Sequence, residues 1–379
     1  MGKSWPSWKL CSARRVEITG DGMRKVPLEE CCEILDSQRI PITASDRKKG
    51  QYPYYGANGI QDFVDDYIFD DELVLLAEDG GNFGSKGRPI AYRVSGKCWV
   101  NNHAHVLKPK HGLDVDYLCY ALMFYDVTGL VNGATRMKLT QAAMRQMLIP
   151  MPEISEQHKT VHLLSSVQEI MRKRQQQLSA LDDLIKARFV EMFGDPVSNP
   201  KGWEKAALNN NATLLNGRAY KQEELLDTGK YPVLRVGNFF SNRGWYYSDL
   251  ELEEDKYCDN GDLLYAWSAS FGSQIWTGGR VIYHYHIWKV IVGDAYNKQF
   301  LCKLLDYATD SLMGDTHGIA MMHLTKSGME QTEFIVPPLS LQEQFAAFVS
   351  QIDKSKSVIQ KSLDETQLLF DSLMQKYFG

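Results

Sequence analysis

The stretch that decides the fold runs from Ser155 to Phe193 and reads SEQHKTVHLLSSVQEIMRKRQQQLSALDDLIKARFVEMF. It contains neither proline nor glycine, and Pro150 and Pro152 come just before it. Because proline is tolerated at the start of a helix but not inside one, this pattern predicts a long helix that begins near Ser155. Apolar residues recur in it with the heptad spacing of a coiled coil. They are Leu164, Met171, Leu178, Ile185 and Met192.

A second stretch of the same kind runs from Ser340 to Phe378, after two consecutive prolines. A helix of this length spans roughly 50 Å and cannot bury its own apolar stripe. We therefore expect the two helices to pair as a coiled coil, with packing of each helix on its own neighbouring module as the alternative. The apolar residues of the second stretch fall into two adjacent heptad registers, one with Phe345, Ile352 and Ile359 and the other with Leu363 and Phe370.

The two long stretches belong to an internal repeat. Short matches recur in the same order in both halves of the chain, and their offset drifts slowly around 185 residues, as expected of a duplicated module with small insertions. The matched strings are Tyr52-Pro53 with Tyr231-Pro232, His103-Ala104-His105 with His284-Tyr285-His286, Tyr117-Leu118-Cys119 with Phe300-Leu301-Cys302, Leu139-Thr140 with Leu324-Thr325, Glu156-Gln157 with Glu343-Gln344, and Phe193-Gly194 with Phe378-Gly379.

The fold class that these patterns predict is α+β, with two repeated mixed α/β modules separated by two long helices. Strand-like runs such as 72–76 and 280–283 alternate with glycine-rich loops in each module. We place the first module at residues 1–150, the first long helix at 151–194, the second module at 195–336 and the second long helix at 337–379.

The composition favours a cytoplasmic protein without a disulfide framework. The chain has 379 residues and a formal net charge of −5, and neither a membrane-spanning apolar run nor a secretory signal is evident. None of its seven cysteines forms a Cys-x-x-Cys pair, so we expect buried core thiols and no zinc site. The acidic total argues against a protein that coats DNA but is compatible with a sequence reader whose cations cluster at one face.

The motifs that resemble catalytic sites are incomplete. The loop 80–87 reads GGNFGSKG and lacks the Gly-Lys-Ser/Thr end of a phosphate loop. The histidine pairs at 103/105 and 284/286 have strand spacing without an evident third metal ligand, so we interpret them as a polar strand face. No AdoMet cradle, adenine-methyltransferase loop or nucleophile with a base is evident. The sequence therefore predicts a binding protein with no catalytic, metal or cofactor residues of its own.

Contact with nucleic acid requires Arg, Lys, Asn, Gln and aromatic side chains on loops, because these groups pair with phosphates and base edges. The segment GATRMKLT at 133–140 is the richest candidate, since it places two cations on a loop. The candidate DNA-contact residues of the first module are Lys86, Arg88, Asn101, Arg136, Lys138 and Gln141. Those of the second module are Arg218, Tyr220, Lys221, Arg235, Asn238, Arg243 and Arg280.

This layout resembles the specificity subunits of Type I restriction-modification enzymes, which alternate two target-recognition domains with two long helices. The resemblance covers residues 24–379, although the second module diverges strongly from the first. The strings that carry it are VPL at 26–28, CEILD at 32–36, WVNNHAHVL at 99–107, GATRMKLT at 133–140, IPMP at 149–152 with Glu156-Gln157, MFGDP at 192–196, NPKGW at 199–203, and VPPL at 336–339 with QEQ at 342–344.

The resemblance implies a function in DNA recognition. Each target-recognition domain is expected to read one half of a bipartite double-stranded DNA site, and the helices, paired antiparallel, to set the unread spacer. The implied partners are two modification (methyltransferase) subunits and the restriction (translocase-nuclease) subunits. AdoMet, ATP and Mg²⁺ belong to those partners, so no cofactor is expected in this chain.

Two other classes of function stay open on the sequence alone. One is a coiled-coil adapter that binds only protein, which salt-dependent DNA binding would distinguish from a DNA reader. The other is a fused or degenerate DNA-modifying enzyme, which methylation by the chain alone would reveal.

Overall fold

A computed structural model describes residues 17–18, 24–85, 87–133, 137–241, 244–268, 270–314 and 325–379. The chain divides into two compact units. The first unit comprises the residues up to Arg174 together with Ser362–Gly379, and the second comprises Gln175–Lys361. Each unit therefore contains one module, part of the first long helix and part of the second.

The first module is built on a six-stranded sheet in the order β3-β8-β6-β7-β4-β5, in which only the β4–β7 pair is parallel. A smaller sheet joins β1, β2 and β11. The strands are β1 (Glu17–Ile18), β2 (Arg24–Pro27), β3 (Cys32–Ile34), β4 (Lys49–Gly56), β5 (Gly59–Val64), β6 (Phe69–Ala77), β7 (Ala91–Val100), β8 (Ala104–Pro109), β9 (Val131–Asn132), β10 (Lys138–Leu139) and β11 (Leu148–Pro150). The helices are α1 (Leu28–Cys31), α2 (Val115–Met123), α3 (Gln141–Arg145) and the long helix α4 (Ile154–Phe193).

The central strand β6 shows why a continuous apolar run folds as a strand here. Successive side chains of a strand point to opposite faces of the sheet. Val74 and Leu76 pack in a cluster that includes helix α2, whereas Leu73 and Leu75 pack in a second cluster on the other face. Both faces of β6 are therefore buried, and the run needs no polar alternation.

The second module contains two four-stranded sheets, ordered β13-β20-β17-β18 and β15-β14-β19-β16, and the short pair β12–β21. The β14–β19 pair is parallel, as β4–β7 is in the first module. The strands are β12 (Lys205–Ala207), β13 (Ala212–Asn216), β14 (Tyr231–Leu234), β15 (Tyr246–Ser248), β16 (Tyr257–Cys258), β17 (Leu263–Ser268), β18 (Ser270–Ile275), β19 (Val281–Tyr283), β20 (Ile287–Val292) and β21 (Glu333–Ile335). The helices are α5 (Val236–Phe240), α6 (Lys298–Gly314), α7 (Lys326–Gln331) and the long helix α8 (Leu339–Phe378).

The two long helices pack against each other in both units. In the first unit, Leu164 near the start of α4 shares a buried cluster with Phe370 near the end of α8. In the second unit, Phe189 near the end of α4 packs against Phe345 near the start of α8, with ring centroids 5.5 Å apart. The helices therefore run antiparallel, and the predicted fold class is confirmed. Each helix begins one residue before the predicted serine.

The predicted heptad residues are buried to different degrees along the helices. In addition to the residues above, Leu178, Ile185, Met192 and Ile352 are buried. The three remaining residues, Met171, Ile359 and Leu363, are half-buried. Lys356, which lies seven residues before Leu363 and continues its register with a polar side chain, forms an ion pair with Asp182, in which Nζ lies 2.6 Å from Oδ1. The helix pair also contacts the module cores, since Phe189 and Phe345 belong to the main core of the second unit.

The strand registers show which residues of the two modules correspond. In each module, one parallel strand pair precedes the turn that contains the histidines. Tyr54 pairs with Trp99 between β4 and β7, and Val233 pairs with Ile282 between β14 and β19. Counting along the chain from these pairs aligns the residues of the two histidine-containing turns.

This register corrects one of the predicted repeat matches. The N–H of Asn101 donates to a β4 carbonyl at 3.0 Å, and the N–H of His284 donates to a β14 carbonyl at 2.9 Å. Asn101 therefore corresponds to His284, and His103 corresponds to His286. The sequence match of the two histidine pairs is wrong by two residues, because the H-x-H pattern recurs by chance within a conserved turn.

The described cysteines occupy core positions. Cys31, Cys32, Cys98, Cys119, Cys258 and Cys302 are all free and buried, in agreement with the prediction of core thiols. Cys11 lies outside the described residues. In the part of the chain that the structure describes, no helix is both long and apolar enough to cross a membrane.

Candidate nucleic-acid interface

In the first module, polar residues from four distant segments meet at the ends of β6 and β8. The N–H of Leu139 donates to Glu78 O at 2.7 Å, and Asp79 forms a β-bridge with Lys138. These contacts bring the 137–141 segment against the turn that contains His103. Part of the segment that the sequence singled out for DNA contact is therefore held by backbone hydrogen bonds at this edge.

A buried ionic network lies beneath this edge. Asp36 accepts hydrogen bonds from His105 Nδ1 at 2.7 Å, from Gln141 Nε2 at 2.8 Å and from the N–H of Val106 at 2.9 Å. His105 Nε2 lies 2.9 Å from Leu139 O. Both ring nitrogens of His105 therefore lie at hydrogen-bond distance from oxygen atoms, one of a side chain and one of the backbone. His105 thus connects Asp36 to the backbone of the 137–141 segment.

The carboxylates of this network are held in the charged form. Burial opposes ionisation of Asp36, but the hydrogen bond and positive charge of His105 and the hydrogen bond from Gln141 outweigh it, so its pKa lies below the usual value. Burial likewise opposes ionisation of Glu78, and hydrogen bonds from Arg39 and Lys138 lower its pKa. Both groups are therefore anions at neutral pH.

The donor set of this network could in principle attract a metal ion, because ligand atoms of Asp36, Glu78 and His105 lie within 4.8 Å of one another. However, Arg39 Nη1 already lies 2.6 Å from Glu78 Oε2, and Lys138 Nζ lies 3.0 Å from Oε1. Two cations thus already occupy both oxygens of Glu78, and they would repel a divalent ion. The network fits a role in positioning the 137–141 segment better than a role in metal binding.

The predicted contact residues of the first module have different surroundings. Asn101 is buried, donates to Gln61 Oε1 at 3.0 Å and accepts from the N–H of His103 at 2.8 Å. Its amide is therefore used within the module. Arg88 is exposed, and no carboxylate among the described residues pairs with it. Lys138 is half-exposed but ion-paired, and Gln141 is hydrogen-bonded to Asp36. Lys86 and Arg136 lie outside the described residues.

In the second module, the corresponding edge is aromatic. β14 and β19 are parallel, so Arg235 and His284 follow the same edge of their sheet. The Tyr220 ring stacks on His284 at a centroid distance of 6.3 Å. The exposed Tyr285 lies beside His286, with ring centroids 3.9 Å apart. This edge therefore presents ring faces and imidazoles where the first module has carboxylates and their cations.

His284 is neutral in this setting. Burial is the first cause, and the nearby His286 and Arg235 add to it, so the pKa of His284 is lowered to about 4. A neutral imidazole donates one hydrogen bond and accepts another, which suits contact with base edges better than contact with phosphate.

A cleft of about 580 Å³ lies next to this edge and is lined by Arg235, Gly237, Asn238, Gly244, Trp245 and Tyr246. The Arg235 guanidinium lies over the Tyr246 ring, 5.2 Å from its centroid. Arg235 has no carboxylate partner among the residues that the structure describes. The cleft therefore combines a cation without a carboxylate partner among the described residues and ring faces, which are groups that read and stack on bases. The Asn238 amide at its wall donates to Gly244 O at 3.3 Å.

Two other predicted cations of the second module, Arg218 and Arg280, are already neutralised. Arg218 forms a two-point ion pair with Glu224 at 2.7 and 2.9 Å, beside Tyr220. Arg280 pairs with Glu254 at 2.7 Å and with Asp259 at 3.0 Å. An arginine held by carboxylates must lose them before it can contact phosphate.

The two remaining predicted cations of the second module are Lys221 and Arg243. Lys221 is exposed, and its Nζ lies 3.7 Å from Glu223. Arg243 lies outside the described residues. Arg235 and Asn238 are therefore the two predicted residues that the structure brings together in one cleft.

Sequence reasoning missed several residues of these edges. Asp36, Arg39 and Glu78 were not nominated, because the pairing of Asp36 with His105 joins residues 69 positions apart in the chain. Trp245 and Tyr246 were also missed as contact candidates. The available signal was their position beside Arg243, since aromatic residues next to cations are typical of loops that contact nucleic acids.

Comparison with known proteins identifies the relatives of this chain. The sequence model of the family described as Type I restriction modification DNA specificity domain matches residues 20–180 and 200–366. A type I restriction enzyme specificity subunit of Haemophilus influenzae is 25% identical over 368 residues, which cover 95% of this chain and 94% of that protein. The MjaIX specificity subunit of Methanocaldococcus jannaschii is 22% identical over 326 residues, which cover 76% of this chain and 74% of that protein.

Solved structures agree on the fold. The S subunit of a Type I restriction-modification system from M. genitalium matches with a TM-score of 0.56 and 14% identity over 98% of both chains. A chain from a structural study of complex assembly and conformational transition in the type I R-M system matches with a TM-score of 0.54 and 16% identity, covering 94% of this chain and 97% of that one. The family resemblance noted in the sequence is confirmed.

Proposed function

Because the chain belongs to the family of type I restriction-modification DNA specificity subunits, we propose that it is the non-catalytic subunit that directs such a complex to a bipartite DNA site. The observation that carries this proposal is the tandem repeat. Two diverged modules on two antiparallel helices provide two separate reading surfaces in one chain. A protein with one reading surface would have no need for the duplication.

Each module reads one half of the site. In the second module, Arg235 contacts a base edge, since Arg pairs with guanine in the major groove. The Asn238 amide donates to Gly244 O at 3.3 Å and supports the cleft from within the module. Tyr246 holds the Arg235 guanidinium in place through its ring face. Arg88 and Lys221, which are exposed on loops, contact phosphates and set the register of the module on the duplex.

In the first module, the ionic network positions the segment that contacts DNA. His105 and Asp36 hold Leu139 and Gln141 in fixed places, so Met137 and Lys138 approach DNA from a defined backbone position. Because Lys138 is paired with Glu78, it contributes less net positive charge than its sequence suggests. The two half-sites therefore differ, because one module presents an anchored loop and the other an aromatic cleft.

The partner subunits supply the chemistry. Two methyltransferase subunits dock on the helical region and methylate one adenine in each half-site with AdoMet. The restriction subunits, where present, cleave unmodified DNA with ATP and Mg²⁺. The role of this chain is to bind DNA, to separate the two reading surfaces and to hold the catalytic partners in register.

Selection of duplexes from a random-sequence library tests the proposal. The complex of the chain with its methyltransferase subunits should enrich two short blocks separated by unread positions, with a specific affinity roughly 10³-fold or more above that for random DNA. Binding should weaken steeply as salt rises, because phosphate contacts release counterions. A protein-only adapter would enrich nothing, and a DNA-modifying enzyme would methylate DNA without the partner subunits.

A further inference from the structure

A fully buried glutamine joins the long helix to the module in the first unit. Gln157 lies in the first turn of α4. Its Nε2 donates to Gly112 O and to Pro152 O, both at 2.9 Å, and its Oε1 accepts from the N–H of Asp114 at 2.9 Å. Asp114 in turn caps α2, because its Oδ1 accepts from the N–H of Tyr117 at 2.8 Å. One side chain thus connects the start of α4 with the start of α2.

The second unit repeats this arrangement bond for bond. Gln342 lies in the first turn of α8 and is also fully buried. Its Nε2 donates to Ala295 O at 3.0 Å and to Pro337 O at 2.7 Å, and its Oε1 accepts from the N–H of Asn297 at 2.9 Å. Asn297 precedes α6, and its Oδ1 accepts from the N–H of Gln299 at 2.9 Å. The same three bonds therefore connect the start of α8 with the start of α6.

The hydrogen bonds also correct a second predicted repeat match. The sequence paired Gln157 with Gln344, but Gln344 is exposed. Gln342 is the residue that repeats both the burial of Gln157 and its bonds. A side chain with three equivalent partners in two strongly diverged modules performs one shared task. By contrast, the residues differ between the modules at the proposed reading edges, which are the 137–141 segment with the His103 turn in the first module and the Arg235 and His284 edge in the second.

The chemistry of the amide explains why glutamine occupies both positions. The two carbonyls require two N–H donors, and the backbone N–H requires an acceptor, so the side chain must present both at the end of a flexible stem. A methionine of similar size would leave three backbone groups without this partner, and a glutamate would face two carbonyls with a carboxylate. The three bonds fix the direction of the helix start, which apolar packing alone leaves free to tilt.

We propose that Gln157 and Gln342 are positioning residues that fix the angle at which each long helix leaves its module, and that they thereby set the length of DNA between the two half-sites. This inference rests on the proposed function, because a spacer exists only if the chain reads two half-sites. The helices act as a ruler only when both ends are rigidly attached. The two glutamine clamps, defined as Gln157 and Gln342 with their three partners each, provide those attachments.

Methylation of a spacer library tests the inference in the complete complex of the chain with its methyltransferase subunits. The duplexes contain both half-sites, and the spacer is varied in steps of one base pair around the natural length. We expect the unmodified protein to disfavour a one-base-pair change at least about tenfold, as a misplaced half-site costs about as much as a mismatched base pair. The double variant Gln157→Met, Gln342→Met should methylate the neighbouring lengths nearly as well as the natural one.

Control variants separate a positioning role from a purely structural one. Gln344→Met changes an exposed glutamine two residues from the clamp and should retain the natural spacer preference. The bases read within each half-site should be the same in all variants, because the clamps lie away from the reading edges. The single variants keep one clamp each, so they remain informative if the double variant does not fold, and each should relax the spacer preference by an intermediate amount.

The outcomes are distinguishable. A folded clamp variant that keeps a sharp preference for one spacer length would overturn the inference and leave the proposed function intact. Failure of the unmodified complex to methylate any bipartite duplex would overturn the proposed function itself. Loss of the half-site bases together with the spacer preference would assign the glutamines to general folding and would also contradict the inference.

Discussion

The two units differ most clearly at one buried position that the strand registers align. In the first unit, His105 lies opposite Leu76 and joins Asp36 to a backbone carbonyl. In the second unit, the corresponding Trp288 lies opposite Tyr265 and stacks on it, with ring centroids 5.9 Å apart. Both side chains are almost completely buried. One framework thus tolerates an ionic network or an aromatic stack under its reading edge, whereas both units keep the same glutamine clamp.

This difference indicates at which positions the sequences of the two modules can diverge. Under the proposals above, the residues that attach each module to its long helix are constrained to one geometry. The residues beneath each proposed reading edge need only to support the loop that contacts DNA. In the first unit that support is ionic and directional, and in the second it comes from ring stacking and a cation over an aromatic face. We expect the ionic and the aromatic support to respond differently to substitution, to salt and to pH.

The largest effect is expected from removal of the carboxylate in the ionic network. Asp36→Ala should lower the free energy of unfolding of the first unit by about 3 kcal/mol, because the buried His105 ring and the Gln141 amide lose their shared acceptor, while Glu78 still pairs with Arg39. Hydrogen exchange of first-unit peptides, measured separately from second-unit peptides, reports the change. Asn216→Ala, at the exposed position that the register aligns with Asp36, should have little effect on the second unit. Equal losses of unfolding free energy in the Asp36→Ala and Asn216→Ala variants would contradict the proposal that only the first unit depends on an ionic network at this position.

The next effect concerns DNA affinity. Arg235→Ala should weaken binding of the selected duplex by about 1–3 kcal/mol and relax base preference in one half-site only. The matched control is Arg280→Ala, because Arg280 is held by Glu254 and Asp259, and its loss should change affinity by no more than roughly twofold. Fluorescence anisotropy with duplexes mutated in one half at a time provides the measurement. A larger loss for Arg280 than for Arg235 would reverse our assignment.

A smaller effect is expected from pH. The pKa of His284 in the folded chain is about 4, below the usual value for histidine, so the unfolded chain takes up a proton first as the pH falls. Stability should therefore be complete above about pH 6.5 and decrease by about 1–2 kcal/mol toward pH 4, given that His284 is only partly buried and solvent screens part of the effect.

Chemical denaturation at several pH values measures this loss. His284→Asn removes the titrating group and should flatten the dependence in the second unit, while acidic residues still titrate in the first. An unchanged pH dependence in the variant would show that His284 is not the group responsible.

The smallest effects on the free energy of unfolding are expected in the long helices. Each unit has one polar residue that continues a heptad register, Lys356 before Leu363 in the second unit and Thr366 after Ile359 in the first. Asp182→Asn should cost no more than about 1 kcal/mol and should matter less at high salt, because the pair with Lys356 is partly exposed. Thr366 donates to Ser362 O in its own helix at 2.6 Å, so Thr366→Val should be neutral or slightly stabilising. Thermal unfolding at low and high salt checks both. A strong salt dependence for the threonine variant would contradict this distinction.

Much of the fold could be predicted from the sequence, for identifiable physical reasons. The absence of proline and glycine over 155–193 and 340–378, together with heptad spacing, predicts paired helices because period and length leave few alternatives. The buried strand β6 was recognisable from its apolar residues. The repeat was also visible, although two of its matches were wrong by two residues, because short strings such as H-x-H and E-Q carry no information about strand register or burial.

The reading edges were harder to predict. Asn101 looked like a base-contact residue, but its amide is used inside the module. Arg218 and Arg280 looked like DNA contacts, but tertiary folding brings carboxylates to both. Whether a polar side chain is free or paired depends on residues far away in the chain, and a single sequence contains no direct record of those contacts. The DNA-contact assignments therefore stay predictions that the experiments above address.

The most direct test of the central claim is methylome sequencing of cells that contain the complete system, with the natural chain and with Arg235→Ala compared side by side. We expect the natural chain to direct adenine methylation to two constant blocks separated by unread bases. Arg235→Ala should relax the base preference in only one block, while the spacer stays the same. A single continuous motif, or loss of sequence preference in both blocks together, would contradict the claim that each unit reads its own half-site.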